Sequence, residues 1–423
     1  MHNYIKLQDG DVDIIDTPIF QRLKRIRQLT SQSVYPSTNH TRFEHSLGVM
    51  TLGYEVLNSL VSKNTEIDRA FFEKYKNTVK YACLLHDIGH APLSHVCEKF
   101  YNSEECKDIL KTFSVKIEEG SSHELMSCAV ALKHFGEKLE GLDVNKELFC
   151  RMITGNKYSS RKWKLNILID ILNSLYDVDK LDYVIRDSKM SGGDFIALDK
   201  YRIIESYTTN KKKLVFSSAV LSTISNLVHG RDALYMWIYN HHIVVYIDSL
   251  VRRFVQHLID KNLIEWEEFF SFDAVSEKLI DDSDIIQMFK KYRNSDEHTA
   301  RLYEQIFYRK YLKPLWKTPF EFRQTINDEG LQDDIIVDAK GNLEVSLKEG
   351  LNLEEDDLYV VLAAFKPFNP ENNKNIYIAI RGENQRFTKV FKGTIHQESL
   401  KDLPYIFTKL ELKDKVINYL NNP

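Results

Sequence analysis

The segment Tyr81–His95, YACLLHDIGHAPLSH, constrains the fold of this chain more than any other stretch. Its first half has the composition of an apolar helix, and that helix carries His86 and Asp87 side by side at its C-terminal end. Gly89 and Pro92 then break the helix. Neutral imidazole favours first-row transition ions, and a carboxylate can bind the same ion or bridge to a harder one such as Mg²⁺. The segment therefore predicts a helix that ends at a metal site.

Histidines are concentrated around this segment. The chain has fourteen, and seven of them are close in sequence: His40, His45, His86, His90, His95, His123 and His134. A lone histidine is more often a surface residue or a satisfied core residue, and we interpret His134 in that way. After the helix breaks, His90 and His95 are expected to turn back toward the metal site.

Two more residues are candidates for the same shell of ligands. His45 lies near the start of an upstream helix, and Asp179 lies in a downstream helix. With His86 and Asp87 they would provide two imidazoles and two carboxylates. The competing interpretation is a helical protein with a buried polar network.

Composition and charge exclude several classes of protein. The 423 residues include 57 Lys and Arg against 61 Asp and Glu, a formal net charge of −4. This balance argues against a protein built mainly to grip duplex nucleic acid, although a local basic groove would not show in the total. The longest apolar stretch, Leu358–Phe365, is far shorter than the roughly 20 residues that cross a bilayer. Because the first four residues also lack the features of a secretory signal, we expect a cytoplasmic protein without membrane contact.

Helical patterns dominate the chain up to about residue 318. In residues 14–29, Thr17 can cap a helix that has Pro18 at its first position. Further helices are predicted over Phe43–Ser62, Phe71–Ile88, His123–Leu139, Lys164–Lys189 and Ser218–Ile259, with an insertion or loop at Tyr101–Ser122. After Pro319 the β-rich runs are Asp334–Val337, Leu343–Leu347, Leu358–Phe365, Asn375–Arg381 and Thr388–Phe391, followed by a helix near Leu410–Leu420. The patterns predict a mainly α chain with two domains, 1–318 and a small α+β module over 319–423.

Six blocks of sequence occur in order along the first of these domains. They are DTPIFQRLKRIRQL, YPSTNHTRFEHSLGV, LLHDIGHAPLSH, SSHE, DVDKLDYVIRD and the helix around Arg231–His242. Together they resemble the HD phosphohydrolase superfamily, and more narrowly its dNTP triphosphohydrolases, which include bacterial dGTPases and a vertebrate SAM-and-HD-domain enzyme. The resemblance implies an HD-domain helical core with a helical extension over residues 1–318, whereas the C-terminal α+β module has no clear family counterpart.

The resemblance also implies roles for individual residues at the reaction centre. Four would be ligands of a divalent metal ion (Fe²⁺, Mn²⁺, Zn²⁺ or Mg²⁺): His45, His86, Asp87 and Asp179. Four more would handle protons and phosphates: His90, His95, Glu98 and His123. Within the second group, His95 and His123 are the acid/base candidates and Glu98 would orient His95. Histidine suits this task because it exchanges protons near neutral pH.

The implied substrate contacts fall into three sets. The phosphates would contact Arg42, Lys180, Tyr183 and Arg231, since a triphosphate requires cations and hydrogen-bond donors. The sugar would meet Gln28 and Asp187 at its 3′-OH, with Leu29 and Tyr239 closing against its 2′ face. The base would lie near Tyr235 and Asn240, which replace a family His and Gln, so base preference is not carried over. Leu29 could instead be only a core residue of the first helix.

A regulatory nucleotide site is a further implication of the resemblance. Four residues match positions that hold an activating nucleotide in the vertebrate enzyme: Asp16, Gln21, Lys24 and Arg202. However, Ser217, Ala219 and His242 stand where that enzyme has basic residues. Whether a nucleotide effector binds is therefore left open.

The function implied by the resemblance is hydrolysis of a dNTP to a deoxynucleoside and triphosphate, which would lower deoxynucleotide pools. Two alternatives remain at this point. One is an HD-type phosphodiesterase or nuclease acting on a cyclic nucleotide or a single-stranded end, and the other is a nucleotide sensor that has lost turnover. Because family members assemble as dimers to hexamers, a homo-oligomer is expected.

Overall fold

The computed structural model describes residues 4–63, 67–193, 196, 198–363, 376–390 and 402–422. These residues are mainly helical, which confirms the predicted fold class. By compactness the chain divides into two units. The first comprises Met1–Arg231, Glu265–Asp284 and Pro370–Thr394, and the second comprises Asp232–Ile264, Ile285–Asn369 and Ile395–Pro423. Compactness alone does not define a domain, so the domains 1–318 and 319–423 stay a prediction.

The first unit begins with a series of helices that carries the site residues. They are α1 (Asp9–Ile15), α2 (Pro18–Gln21), α3 (Arg42–Ser62), α4 (Arg69–Leu85), α5 (Ser103–Thr112), α6 (Ser122–Gly141), α7 (Lys146–Thr154), α8 (Trp163–Leu172), α9 (Val178–Met190) and α10 (Lys200–Ile204). α3 packs against α4 and α9, and α7 packs against α4, α6 and α8. The predicted helices at α3, α4 and α6 are confirmed within a few residues.

Local sequence explains where the two helices of the central pair begin. At α3, Thr41 and Glu44 form a capping box, and Glu44 accepts the Thr41 backbone N–H at 3.0 Å. At α4, the Asp68 side chain accepts the Phe71 backbone N–H at 2.8 Å. α4 then ends at Leu85, three residues before the predicted end at Ile88, so His86 and Asp87 follow the helix directly.

Four predicted elements between residues 14 and 259 are corrected. The helix over 14–29 is limited to α2 and a 3₁₀ turn at Arg22–Arg25, because Ile26 becomes extended and its carbonyl accepts the Arg42 N–H. The supposed loop Tyr101–Ser122 contains α5, which buries Cys106 and Leu110. The helix over Lys164–Lys189 is two helices, since Asp177 caps a new one at α9. The helix over Ser218–Ile259 is also interrupted and becomes α11 (Leu221–Leu234), a π-helical turn (Tyr235–Tyr239) and α12 (His242–Asp260).

A sheet completes the first unit. Its strands are β1 (Tyr207–Asn210), β2 (Lys213–Ser217), β5 (Tyr377–Ile380) and β6 (Glu383–Arg386), in the order β1-β2-β5-β6. β2 and β5 are parallel and pair Phe216 with Ile378, whereas the other neighbours are antiparallel. Three short helices also belong to this unit: α13 (Trp266–Phe270), α14 (Phe272–Ser276) and α20 (Phe387–Val390).

The second unit combines helices with a three-stranded sheet. Besides α12 it contains α16 (Glu297–Tyr308), β3 (Lys313–Pro314), α17 (Pro319–Thr325), α18 (Glu329–Asp338), α19 (Leu343–Leu351), β4 (Leu358–Ala363), β7 (Leu403–Thr408) and α21 (Lys413–Asn421), while α15 (Asp282–Tyr292) crosses into it. The sheet order is β3-β7-β4, with antiparallel neighbours. Its core includes Tyr246, whose ring stacks on Phe407 with centroids 4.0 Å apart.

The strands predicted after Pro319 are only partly confirmed. Strands are present within Leu358–Phe365 and Asn375–Arg381, although Phe365 and Asn375 lie outside the described residues. Asp334–Val337 and Leu343–Leu347 are helical instead, in α18 and α19. The strand over Thr388–Phe391 is also wrong, because α20 extends to Val390, and Phe391 lies outside the described residues. The helix near Leu410–Leu420 is confirmed as α21, after a 3₁₀ turn.

Among the residues that the structure describes, no helix combines the length and the apolar character needed to span a bilayer. The cytoplasmic location and the homo-oligomer both stay predictions.

Candidate active site and metal centre

The four predicted metal ligands come together in the first unit. α3 supplies His45, the turn after α4 supplies His86 and Asp87, and the first turn of α9 supplies Asp179. His45 Nε2 lies 2.9 Å from Asp179 Oδ1 and 3.6 Å from Asp87 Oδ2. His86 Nε2 lies 3.4 Å from Asp87 Oδ1 and 3.6 Å from Asp179 Oδ1. Two imidazole nitrogens and two carboxylates therefore face one point.

The outer nitrogens of the two histidines show that this point suits a metal ion. His45 Nδ1 lies 2.9 Å from Asp182 Oδ2, and His86 Nδ1 lies 2.9 Å from the Cys83 carbonyl oxygen. Because a carboxylate and a carbonyl can only accept, both Nδ1 atoms donate, so in each neutral imidazole the lone pair is on Nε2. Both Nε2 atoms are buried and make no hydrogen bond of acceptable geometry. A divalent cation would satisfy them, and His45, His86 and Asp87 are close enough to share one.

The charges at this centre are strongly coupled. Burial by itself would lower the pKa of His45, but the adjacent carboxylates of Asp179 and Asp182 raise it to about 10. Burial would raise the pKa of Asp87, yet Arg42, His86 and His45 hold it well below its usual range. Asp87 is therefore an anion at neutral pH. Since a metal ligand must present an unprotonated nitrogen, binding of a cation here would release any proton from His45 Nε2.

Close packing of α3 on α9 makes the His45–Asp182 contact possible. Gly48 lies one turn after His45, and a Cβ at this position would overlap the carboxylate of Asp182. Asp182 is fully buried and also accepts from Arg186 Nε at 2.8 Å, so its carboxylate has little room to move. Only glycine lets the two helices approach closely enough for Asp182 to reach His45.

Gly48→Ala is therefore expected to weaken metal binding as well as folding. Overpacking costs roughly 1–3 kcal/mol of stability, and displacing a residue that orients a ligand lowers metal affinity by roughly 10- to 100-fold. Thermal unfolding and metal titration measure the two effects. Gly141→Ala is the matched control, since nothing lies within 4 Å of a Cβ at that helical glycine. Equal metal affinity in the two variants would contradict this role for Gly48.

The predicted proton-transfer residues form a second group. Glu98 lies between two imidazoles, with Oε2 2.8 Å from His95 Nδ1 and Oε1 2.5 Å from His123 Nδ1. The His123 backbone N–H also donates to Glu98 Oε1, at 3.2 Å. His90 is fully buried and its ring stacks on that of His123, with centroids 4.4 Å apart. The three imidazoles are also close enough to hold an ion of their own.

Electrostatics give these imidazoles different proton affinities. Burial lowers the pKa of His123, but the hydrogen bond and charge of Glu98 outweigh burial and raise it above the usual value. The pKa of His90 is well below the usual value because of burial, Arg42 and the neighbouring imidazoles. A protonated His123 can therefore lie beside a neutral His90. In this arrangement His123 is the imidazole that can act as an acid and give up a proton.

The two groups are in contact. His90 Nε2 lies 3.5 Å from Asp87 Oδ1. Arg22, which is fully buried, donates to the carbonyl oxygens of His90 (2.8 Å) and Ile280 (2.7 Å) and so fixes the loop after α4. A reacting group next to the metal ligands would thus also be close to the imidazole group.

Arg42 and Lys180, predicted to bind phosphates, lie beside carboxylates. Arg42 Nη1 donates to Asp87 Oδ2 at 2.7 Å, and Arg42 Nε donates to Ser94 Oγ at 3.0 Å. Lys180 Nζ donates to Asp177 Oδ2 at 2.7 Å, and Coulombic attraction to that carboxylate overrides burial and raises the pKa of Lys180. Lys180 is therefore a cation at neutral pH, and contact of Arg42 and Lys180 with phosphate stays a prediction.

The predicted sugar-binding residues Gln28 and Asp187 share a neighbour that was not predicted. His40 Nε2 donates to Asp187 Oδ1 at 2.8 Å, and the His40 carbonyl accepts the Gln28 N–H at 3.1 Å. All three residues are buried. Gln28 Oε1 is also buried and has no hydrogen-bond partner. Leu29, next to them, is half-buried, and its role stays open.

The remaining predicted residues occupy several elements. Tyr183 is half-buried on α9, and Arg231 is buried on α11. Tyr235 and Tyr239 lie in the π-helical turn with their rings edge to face, 5.0 Å apart, and Asn240 follows them, its carbonyl accepting from Tyr405 at 3.2 Å. Tyr235, Tyr239 and Asn240 belong to the second unit. Their roles in substrate binding stay predictions.

The predicted regulatory residues each make local contacts. Asp16 is exposed at the end of α1, and Gln21 Nε2 donates to the Ile15 carbonyl at 2.8 Å. Lys24 Nζ lies 4.5 Å from the centre of the Phe43 ring, and Arg202 Nη2 donates to the Ala219 carbonyl at 2.9 Å. Their binding of a nucleotide also stays a prediction.

Sequence reasoning missed three residues that support the site. Asp182 lies one turn after Asp179 in DVDKLDYV, and that spacing could have indicated that both reach His45. His40 lies in the same block as Arg42 and His45, but nothing local connects it to Asp187. Arg22 has no such signal, because its partner Ile280 is 258 residues away.

Comparison with protein-family models places this site in a known domain. Residues 42–183 match the HD domain, and residues 198–358 match the HD-associated region. The first match includes all four predicted ligands. The chain belongs to the HD-domain family. Members of this family are metal-dependent phosphohydrolases, which confirms the resemblance identified in the sequence.

Curated relatives support the same assignment. An uncharacterized protein of Methanocaldococcus jannaschii is 29% identical over 65% of this chain and 52% of its own length. The deoxynucleoside triphosphate triphosphohydrolase SAMHD1 homolog of Dictyostelium discoideum is 28% identical, over 59% of this chain and 47% of its own length. Human deoxynucleoside triphosphate triphosphohydrolase SAMHD1 is 28% identical, over 59% and 42% respectively. The chain spans about half the length of these relatives.

Solved structures share the fold over nearly the whole chain. A hypothetical protein from Aquifex aeolicus has a TM-score of 0.70 and 22% identity, covering 98% of this chain and 96% of its own. A phosphohydrolase from Bacteroides thetaiotaomicron has a TM-score of 0.69 and 22% identity, covering 96% of both chains. At this identity the likeness establishes the fold alone.

Proposed function

We propose that this chain is a dNTP triphosphohydrolase, which converts a dNTP and water to a deoxynucleoside and triphosphate. One observation carries the proposal: the candidate metal centre lies directly beside a carboxylate-linked imidazole group, at 3.5 Å between His90 Nε2 and Asp87 Oδ1. A metal ion bound at the first group would activate water and draw charge from a phosphate. The second group supplies the proton that the leaving oxygen needs. The triphosphohydrolase relatives support the choice of substrate.

His123 is the acid in this proposal. Its Nδ1 is held by Glu98, so in the protonated state the second proton is on Nε2, the nitrogen that can face a substrate. His123 Nε2 gives that proton to the 5′-oxygen as its bond to the α-phosphorus breaks. His95, held by the other oxygen of Glu98, is the second candidate for proton transfer. Arg42 and Lys180 provide positive charge for the phosphates.

The sugar would be recognised by Gln28 and Asp187. The unpartnered Oε1 of Gln28 is an acceptor that a sugar hydroxyl can satisfy, and leaving such a buried acceptor unpaired costs about 1–3 kcal/mol. His40 holds Asp187 in one orientation through their 2.8 Å hydrogen bond. Leu29, which follows Gln28 in the chain, would exclude a 2′-hydroxyl, so we expect dNTPs to be hydrolysed and NTPs to be poor substrates.

Product analysis tests the proposal. Each of the four dNTPs is incubated with the chain and Mg²⁺, Mn²⁺ or Fe²⁺ in ¹⁸O-water, and the products are separated by chromatography. Triphosphate that contains ¹⁸O, together with a phosphate-free deoxynucleoside, is the expected result, because attack at the α-phosphorus leaves the nucleoside oxygen unlabelled. Parallel assays with dATP and ATP measure the discrimination between sugars. Formation of dNMP and pyrophosphate would contradict the reaction, and equal rates for both sugars would contradict the sugar contacts.

The pH profile of turnover should report the acid. His123 must be protonated to act, so activity is expected to fall as pH rises through its pKa, which Glu98 raises above the usual value. Glu98→Gln removes the negative charge and lowers that pKa. The alkaline limb of log kcat should therefore move to lower pH in Glu98→Gln.

Glu104→Gln provides the control for this shift. Glu104 is an exposed residue of α5 whose carboxylate pairs with Lys107. Its variant should keep the wild-type profile. If Glu98→Gln also kept the wild-type alkaline limb, His123 could not be the group that titrates there.

A further inference from the structure

The loop after α4, over residues 88–97, has a backbone conformation that bulky residues rarely adopt. Leu93 and Ser94 are consecutive in this loop, and both have a positive φ, 55° and 52° respectively. A left-handed conformation is unfavourable for residues other than glycine, so it persists only where surrounding contacts hold it. Because the same loop carries His90 and His95, its shape decides where two imidazoles of the site lie.

The carboxylate of Asp282 holds this loop from a distant part of the chain. Asp282 Oδ1 accepts the Leu93 backbone N–H at 2.7 Å, and Asp282 Oδ2 accepts the Arg27 backbone N–H at 3.0 Å. Asp282 lies at the start of α15, is 6% exposed and is 189 residues from Leu93 in the sequence. Each of its oxygens thus contacts a different segment, the loop after α4 and the stretch that leads to Gln28.

The ionised state of Asp282 is what allows it to join the two segments. Burial raises the pKa of Asp282 to about 6, and the Leu93 and Arg27 N–H groups oppose that rise. At neutral pH the group is therefore an anion, and both oxygens can accept. Since a buried charge is costly unless it is hydrogen-bonded, this position favours a residue that must accept at two points.

A residue just before Asp282 holds the same loop by a second route. The Ile280 carbonyl accepts from Arg22 Nε at 2.7 Å, and Arg22 Nη2 donates to the His90 carbonyl at 2.8 Å. The start of α15 and the residue two positions before it therefore fix the loop at both His90 and Leu93.

The loop is connected in turn to the candidate metal centre. Ser94 Oγ donates to the Arg27 carbonyl at 2.6 Å and accepts from Arg42 Nε at 3.0 Å. Arg42 Nη1 donates to Asp87 Oδ2 at 2.7 Å. Displacement of Leu93 would therefore move Ser94, and the effect would reach a predicted metal ligand through Arg42.

We propose that Asp282 is a positioning residue, which holds the loop after α4 in its left-handed conformation and at a fixed distance from the segment before Gln28. It acts through Leu93 and Arg27 and not by contact with the substrate. The inference rests on the proposed function in one respect, that residues of this loop take part in the reaction. It does not depend on which phosphate ester is cleaved.

Asp282→Asn tests this role with little change in shape. The amide has a single acceptor oxygen, so either the Leu93 or the Arg27 N–H loses its partner. An unpaired buried group corresponds to roughly 5- to 150-fold in an equilibrium, so kcat should fall by at least about fivefold. Hydrogen exchange of a peptide that covers the loop, followed by mass spectrometry, should become faster. Turnover is measured with dNTPs and also with bis(p-nitrophenyl) phosphate, which reports on the metal centre whatever the natural substrate is.

A second substitution separates positioning from a purely structural role. Glycine adopts a positive φ without the steric cost that leucine bears, so Leu93→Gly should make the loop less dependent on Asp282. That steric cost corresponds to roughly 5- to 30-fold in an equilibrium. Asp282→Asn should therefore lower kcat less in the Leu93→Gly background than in the wild type. Equal losses in the two backgrounds would contradict the positioning role.

Asp284→Ala is the matched control, because Asp284 lies in the same first turn of α15 and accepts the Asp281 backbone N–H at 2.8 Å. It should keep the loop exchange and the kcat of the wild type, and thermal unfolding checks that each variant is folded. Unchanged kcat in folded Asp282→Asn would overturn the proposal, and so would unchanged loop exchange, even if neither substrate were hydrolysed. If the wild type hydrolysed only bis(p-nitrophenyl) phosphate and the variants behaved as expected, the proposed substrate would be wrong and the role of Asp282 would stand.

Discussion

Asp179→Ala is expected to abolish turnover and to reduce bound metal to background. Asp179 Oδ1 lies 2.9 Å from His45 Nε2 and 3.6 Å from His86 Nε2, so its carboxylate is placed between the two imidazoles that face the same point. Its removal leaves two neutral nitrogens and one carboxylate, which already pairs with Arg42. Too little negative charge then remains to hold a divalent cation. Metal content after dialysis and turnover of dNTPs measure the two losses.

A graded series of variants separates ligation from orientation. Asp182→Asn keeps all four predicted ligands and alters the carboxylate that pairs with His45 Nδ1 and Arg186, so metal affinity should fall by roughly 10- to 100-fold rather than disappear. Asp108→Ala, which removes an exposed carboxylate that pairs with Lys111, should bind metal as the wild type does. Full turnover by metal-free Asp179→Ala would contradict a metal-dependent reaction at this centre.

The sequence predicted helices well where local signals and tertiary packing agree. α3 has a capping box at Thr41 and Glu44, and the structure begins that helix within one residue of the prediction. In residues 14–29 the two disagree. Leu23 and Ile26 have helical spacing and are both buried, but the backbone after Arg25 pairs with residues 40–42 and leaves the helix. Pairing with a segment that lies further along the chain cannot be read from a local pattern.

Short β-branched runs caused the second type of error, a strand predicted where the structure has a helix. Asp334–Val337 contains two isoleucines and a valine, which favour a strand. However, the Asp328 side chain accepts the Leu331 N–H at 2.8 Å and begins a helix that extends through the run. A run of four residues is too short to distinguish a strand from part of a helix, and the cap six residues earlier decides.

The site shows the same division between local and distant information. His86 and Asp87 could be predicted as neighbours because one helix end carries both. The partners that fix the tautomers and the loops come from other segments: Asp182 for His45, His40 for Asp187 and Arg22 for the His90 carbonyl. Family motifs supplied the ligands, but only the three-dimensional structure reveals which donors and acceptors orient them.

His123→Ala is expected to lower kcat by roughly 10²- to 10⁴-fold, the usual effect of losing a general acid. The substituted protein should still bind substrate, because the predicted phosphate contacts Arg42 and Lys180 remain. His134→Ala is the matched control: it lies on the same helix, α6, and its Nε2 contacts Ser276 Oγ at 2.8 Å. Single-turnover kinetics and substrate affinity separate the chemical step from binding. A loss in binding with unchanged kcat would contradict the acid role.

A substrate with a 5′-bridging sulfur in place of the 5′-oxygen tests the role directly. A thiol has a pKa of about 8.5, so a thiolate can leave without receiving a proton, whereas an alkoxide cannot. His123→Ala should therefore be impaired on the natural dNTP but nearly as active as the wild type on the sulfur analogue. If His123 only supported the position of His90, with which its ring stacks at 4.4 Å, the substitution would slow both substrates equally. The ratio of the two rates thus distinguishes proton transfer to the leaving group from a purely structural contribution of the imidazole.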